Sequence, residues 1–165
     1  MLGLMILLLF SFCKETENEE LYNSEFLYED NLDGTVTDTR TNLVWQRCSL
    51  GKNNDRECSG TTIKLKWEEA IVQCQALNLA GKKWRLPTKE ELKSTIIKKK
   101  TLSIPFISLS IDETAFPKTM GGAYWSSSMN ASDQQGITAW GVIYGTRVIG
   151  FFNKEKEYYV RCVQE

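Results

Sequence analysis

The sequence predicts an α+β domain with two helices, antiparallel strands and two disulfides. Two short β-type runs come before two helical segments. The last third alternates apolar and polar residues between turns. Four cysteines remain once Cys13, at the end of an apolar leader, is set aside. Strands at both ends with helices after the first pair are the pattern of an α+β domain.

The leader MLGLMILLLFSF, residues 1–12, carries no charge. It falls short of the roughly 20 apolar residues needed to span a bilayer, and matches the apolar region of a secretory signal. The basic region that usually precedes such a run is missing, so a start upstream of Met1 is expected. Cys13 stands where the apolar run meets polar sequence. This resembles a bacterial lipoprotein signal, in which the cysteine becomes the acylated N-terminus, although Phe12 occupies a place more often held by a small residue. Residues 13–33 hold eight acids against one base, Lys14, a local net charge of -7. Like charges with few apolar residues predict an extended, disordered tether. The whole chain has net charge -1, so residues 34–165 carry about +6, and are numerous enough for one domain with its own core.

Within that head, GTVTDT (34–39) and NLVWQR (42–47) read as strands joined by a tight turn at Arg40 and Thr41. Residues 66–79 read as a helix, because Trp67, Ala70, Ile71, Cys74 and Leu77 recur at helical spacing. Ala80-Gly81 supplies its stop. In WRLPTKEEL, Thr88 and Glu91 have capping-box spacing, so a second helix is expected from Lys89 to about Ile97. Lys98, Lys99 and Lys100 would follow at its C-terminal end, where cations suit the dipole. A long loop occupies residues 101–122. AYWSSS, ITAWGVIY, RVIGFF and YYVRCV read as the closing strands.

An even cysteine count in an exported chain indicates disulfides. Of three possible pairings, Cys48 with Cys58 closes a local loop around the polar SLGKNNDRE, leaving Cys74, on the buried helix stripe, with Cys162 on the last strand. A four-thiolate zinc site is the competing reading, but no C-x-x-C pair is present.

The order TVTDTRTNLVWQR, WEEA with its downstream cysteine, WRLPTKEEL, FP, YWSSS, AW and YVRCV resembles the Lcl C-terminal domain family, named after a collagen-like adhesin, over roughly residues 34–163. The resemblance implies a C-type-lectin-like fold, in which a helix cysteine bonds the last strand and an N-terminal bridge is common. It also implies binding of sulfated polysaccharide, although the collagen-like stalk of the named adhesin has no counterpart here.

The chain contains no histidine, which excludes Ser-His-Asp and Cys-His catalysis and histidine-based zinc sites. RLPT before an acidic helix start also resembles the formylglycine-generating enzymes, but these need a reactive cysteine pair near the C-terminus, where only Cys162 lies. No enzyme activity and no cofactor are expected. Calcium-dependent sugar binding would need carboxylates and amides in one loop, whereas Asp112, Glu113 and Asp133 are scattered. Trp45, Trp67, Trp84, Trp125 and Trp140 read as core rather than as sugar-stacking platforms, and Arg85 and Arg161 as structural hydrogen-bonding arginines. Lys93, Lys98, Lys99 and Lys100 are the candidate ligand-binding residues, with Lys82, Lys83, Lys154 and Lys156 as possible extensions. Each also has a bland reading as a solubility charge.

The expectation is an exported lipoprotein, anchored by its lipid in the cell envelope at the outer membrane. Its adhesin-like head binds anionic polysaccharide or host matrix protein. Nucleic acid is not an expected partner of an exported chain of modest basicity. The alternative is a structural envelope protein that packs against other envelope components.

Overall fold

β-Branched residues and an inward tryptophan make the first hairpin. In the computed structural model, which describes residues 27–97, 111–146 and 148–165, a short strand β1 (Tyr28–Asp30) pairs antiparallel with β2 (Thr35–Asp38), and β2 with β3 (Val44–Gln46). The pairing of β1 corrects the tether reading of residues 13–33 at its C-terminal end. Asn31 bridges to Thr35 and Thr37, and Asp33 accepts from the Thr35 amide and hydroxyl, so local hydrogen bonds hold this acidic stretch in the sheet. Cys13 lies outside the described residues.

A two-residue strand β4 (Lys64–Leu65) leads into α1 (Trp67–Gln75). Trp67, Ala70 and Cys74 are its buried face, as the spacing predicts. The helix stops short of residue 79. The Ala76 amide donates to Val72 and the Leu77 amide to Cys74, and the Trp84 indole takes the Leu79 carbonyl. Ala80 and Gly81, both at positive φ, turn the chain so that Leu79 bridges Lys82. Next come β5 (Trp84–Arg85) and α2 (Lys89–Ser94), the latter ending three residues before the expected Ile97. The Thr95 hydroxyl donates to the Leu92 carbonyl and meets the Tyr144 hydroxyl at 2.6 Å.

The longest strands follow: β6 (Gly122–Met129), β7 (Thr138–Tyr144) and β8 (Val148–Asn153). The predicted single strand YYVRCV is instead two, β9 (Tyr158–Tyr159) and β10 (Val163–Gln164). They belong to different sheets, ordered β1-β2-β3-β10-β5 and β4-β9-β6-β7-β8. All pairings are antiparallel except β6 with β9.

The reason for the split is Arg161, which sits between the sheets with no exposed surface. One guanidinium nitrogen donates to the carbonyls of Gln46 (2.9 Å) and Arg47, the other to the hydroxyls of Ser49 (3.1 Å) and Thr119 (2.8 Å). The face of Phe116 lies 4.5 Å away. No carboxylate is among these partners, so carbonyls, hydroxyls and a ring face solvate the charge.

Tyr124 and Trp125 are neighbours on β6 and so point to opposite faces. Tyr124 joins Val36, Trp45, Leu92, Phe116, Val142 and Tyr144 in one core cluster. Trp125 joins Trp67, Cys74, Trp84, Ala139 and Cys162 in another. Both faces of the β6–β7 pair are therefore covered. Gly141 permits this crowding, since a Cβ there would meet the Tyr124 carbonyl at 2.7 Å and the Phe152 ring at 2.9 Å. The bonds Cys48–Cys58 and Cys74–Cys162 are both formed, as the sequence predicts. No described helix is long and apolar enough to cross a membrane.

Candidate functional site

The RLPT segment and the following helix are locked together by one acid. Glu91 receives two bonds from the Arg85 guanidinium (2.7 and 2.8 Å) and one from the Thr88 amide (2.7 Å), while the Thr88 hydroxyl accepts from the Glu91 amide. Capping box and two-pronged ion pair thus share one carboxylate, and Arg85 proves structural, as does Arg161. The three serines of YWSSS are also structural. The Ser126 hydroxyl donates to the Trp140 carbonyl, that of Ser127 to the Pro87 carbonyl, and that of Ser128 accepts from the Lys89 amide. Together they fix the N-terminus of α2 across β6 and β7.

The Arg85 guanidinium holds the Glu91 carboxyl below its ordinary value of 4.5, and Glu91 raises Arg85 in return. A carboxyl depressed in the folded state adds stability above its unfolded value, and that stability fades as pH falls through the folded value. Glu91→Gln is therefore expected to melt below wild type at pH 7. The difference should shrink as pH falls below 4.5. Thermal unfolding of both chains across that range checks this; a gap that stays constant would contradict it.

Fixing α2 in this way places the Lys89 ammonium 4.2 Å above the Trp140 ring. Trp140 is half-buried and lies outside both core clusters, whereas Trp45, Trp67, Trp84 and Trp125 are buried. Across the β7–β8 register Trp140 faces Phe151, ring centroids 3.9 Å apart and planes at 45°. Phe151 is 46% exposed. Two residues along, Thr138 faces Asn153 on the same side of the sheet. Lys93, one turn beyond Lys89 on α2, is exposed and makes no ion pair among the described residues. Lys89 does pair with Glu90 (3.1 Å), but that acid is 72% exposed, so the pair is weak. The result is an open face of two cations and two aromatic rings, bordered by two carboxylates: Glu90 beside Lys89, and Asp133, which accepts from the Thr138 amide and hydroxyl.

Of the residues predicted to bind ligand, Lys93 is on this face, while Lys98, Lys99 and Lys100 lie outside the described residues. Lys82 and Lys83 sit in the turn before β5, in the other sheet. The Lys154 ammonium lies 4.1 Å over the Trp67 ring. Lys89 and Phe151 do not stand out in the sequence, and the expectation that Trp140 is core is corrected, since it is half-buried and outside both clusters. In ITAWGVIY nothing separates Trp140 from its neighbours, because residues on both faces of that strand are buried.

A second depression runs along both sides of Arg47, with cavities of about 260 and 220 Å³ that share Asp30, Arg47 and Arg56. Its acids are occupied locally. Asp30 pairs with Arg47 at 3.2 Å, Asp55 accepts from Ser59, and Asp112 accepts from the Thr114 and Ala115 amides. Among the described residues no group of three or more Cys, Asp or Glu is placed to hold a metal ion.

The family model for the Lcl C-terminal domain matches residues 34–164. The chain belongs to the Lcl C-terminal domain family. No curated protein and no solved structure matches it. The match spans the folded head from β2 to β10, and includes the RLPT lock, both disulfides and the β7–β8 face. In this Lcl C-terminal domain, most of the family-like motifs thus have structural duties. WRLPTKEEL makes the Arg85–Glu91 cap, YWSSS ties down α2, and YVRCV carries the buried arginine and the disulfide to α1.

Proposed function

We propose that this chain is a non-catalytic, lipid-anchored envelope protein whose adhesin-like head binds an anionic polysaccharide on the face formed by α2, β7 and β8. The observation that carries this reading is the placement of Lys89 over the open Trp140–Phe151 pair, with Lys93 one turn further along the same helix face. Ammonium groups on an open face, one of them only weakly paired to the exposed Glu90, attract polyanions and release them as salt screens the charge. The basic balance of residues 34–165, against the acidic stretch before them, points the same way. Membership of an adhesin-like family supports a binding role. The lack of histidine and the engagement of all four head cysteines in disulfides support the absence of catalysis. The leader and Cys13 support export and a lipid anchor at the outer membrane. The helix-to-last-strand disulfide supports a lectin-like head.

The test is binding of the purified chain, disulfides formed, to a panel of sulfated and neutral polysaccharides over a salt series. Sulfated chains are expected to bind, and to weaken by roughly tenfold or more between 50 and 300 mM salt, as exposed charge pairs are screened. Changing Lys89, Lys93, Lys98, Lys99 and Lys100 together to Ala should remove most of that binding while the melting temperature stays within a few degrees of wild type. No binding to any anionic polysaccharide at low salt would overturn the proposal and favour a structural role among envelope components.

A further inference from the structure

We infer that Trp140 and Phe151 form a stacking subsite for the apolar face of a sugar ring within an anionic polysaccharide; this rests on the binding reading above. Four tryptophans serve the core, and the indole N–H groups of Trp67, Trp84 and Trp125 donate to the carbonyls of Ser126, Leu79 and Leu65. Trp140 differs on both counts. Its side chain is outside the core, and its indole N–H neither bonds to a described residue nor is buried unsatisfied. That donor is open to a ligand hydroxyl.

Phe151 widens the platform. It comes from β8, the last strand of its sheet, so no further described strand covers that side. The axial C–H groups of a pyranose carry slight positive charge and fit the negative face of an aromatic ring, while their contact removes apolar surface from water. The rim is polar. Asn153 faces Thr138 two register steps away, and its side-chain amide N–H groups have no partner among the described residues. Lys89 and Lys93 stand on the other side, within reach of a carboxylate or sulfate on the same or a neighbouring sugar. A bare polyanion could use the lysines alone. A polysaccharide with acidic substituents uses lysines and rings together, which is why the occupant is a sugar polymer.

The experiment compares two polyanions on the purified chain: a sulfated glucosamine–uronate polysaccharide, and inorganic polyphosphate, which has charge but no sugar ring. Phe151→Ala and Trp140→Phe are each expected to weaken polysaccharide binding, Phe151→Ala by roughly tenfold, as loss of an aromatic anchor does at an interface. Both should leave polyphosphate binding unchanged. Lys89→Ala with Lys93→Ala should weaken both ligands. Polysaccharide should shift the tryptophan fluorescence of wild type, and this shift should be lost in Trp140→Phe. Near-UV circular dichroism of each variant checks its fold, and Phe151→Ala, at an exposed position, serves if Trp140→Phe disturbs it. Wild-type binding that is indifferent to Phe151→Ala, or a loss equal for both polyanions, would overturn the subsite and leave the binding reading standing. Failure of wild type to bind the polysaccharide would overturn both.

Discussion

Arg161→Met is expected to lower the unfolding free energy by about 3–5 kcal/mol, because several buried carbonyls and hydroxyls lose their donor and each unsatisfied group costs about 1–3 kcal/mol. The side chain has no exposed surface, and its guanidinium donates to Gln46, Arg47, Ser49 and Thr119. Burial pulls its pKa below the ordinary arginine value, so the charge itself is costly to hold there. The bonds offset that cost, and Met would make none of them. Arg161→Lys separates charge from geometry, because an ammonium offers three donors and cannot imitate the planar fork. It too is expected to destabilise, by less than Met. The Ser49 hydroxyl also meets Tyr124, and Tyr124 accepts from the Met120 amide. Losing the arginine should therefore loosen the Thr119 turn as well, visible as new protease cleavage near residues 112–120. Urea unfolding of the three chains is the measurement. A loss under about 1 kcal/mol for Arg161→Met, the scale of a single ordinary hydrogen bond, would contradict the central place given to this residue.

The second large effect concerns the disulfides. Cys74–Cys162 joins residues 88 apart, and Cys48–Cys58 residues 10 apart. In the chain-entropy account, closing these loops stabilises by about 4.6 and about 2.7 kcal/mol respectively. Replacing Cys74 and Cys162 together by Ala is therefore expected to cost more than replacing Cys48 and Cys58. The long bridge also lies in the core, where both of its cysteines are buried against Trp67, Trp84 and Trp125. The short one closes the loop whose Asn54 accepts from Gln46. Denaturant titration of both double variants decides the order. The reverse order would mean that the loop around Cys48 holds more of the fold than its length suggests.

Much of this fold was legible because local rules and tertiary packing agree. Thr88 and Glu91 announced their capping box, and the stripe of Trp67, Ala70 and Cys74 announced the buried side of α1. The cysteine pairing followed from loop composition. Legibility failed where a distant partner decided the backbone. YYVRCV has the composition of one strand, but Arg161 must reach the end of β3, and this breaks the strand across two sheets. The acidic run before residue 34 reads as a solvated arm, yet Asn31 and Asp33 spend their side chains on Thr35 and Thr37, and so attach β1.

The candidate site was legible only in part. Lys93 stood out through its place near a run of cations, but Lys89 did not, because its role depends on a ring fifty-one residues further along the chain. Trp140 was hidden by alternation on a strand with both faces covered. What could have marked it is the companion pattern in RVIGFF, where Phe151 and Phe152 are adjacent and must point to opposite faces. Phe152 joins the core beside Trp125, so Phe151 is left outside, and its register partner Trp140 with it.

Amide hydrogen exchange of the purified chain, with and without saturating sulfated polysaccharide, is the most direct test of the proposed binding face. The account predicts slowed exchange along α2 and in β7 and β8 around Trp140 and Phe151, with no change in the loop from Asn54 to Arg56. Protection confined to the depression around Arg47 and Arg56, or none at any residue, would contradict it.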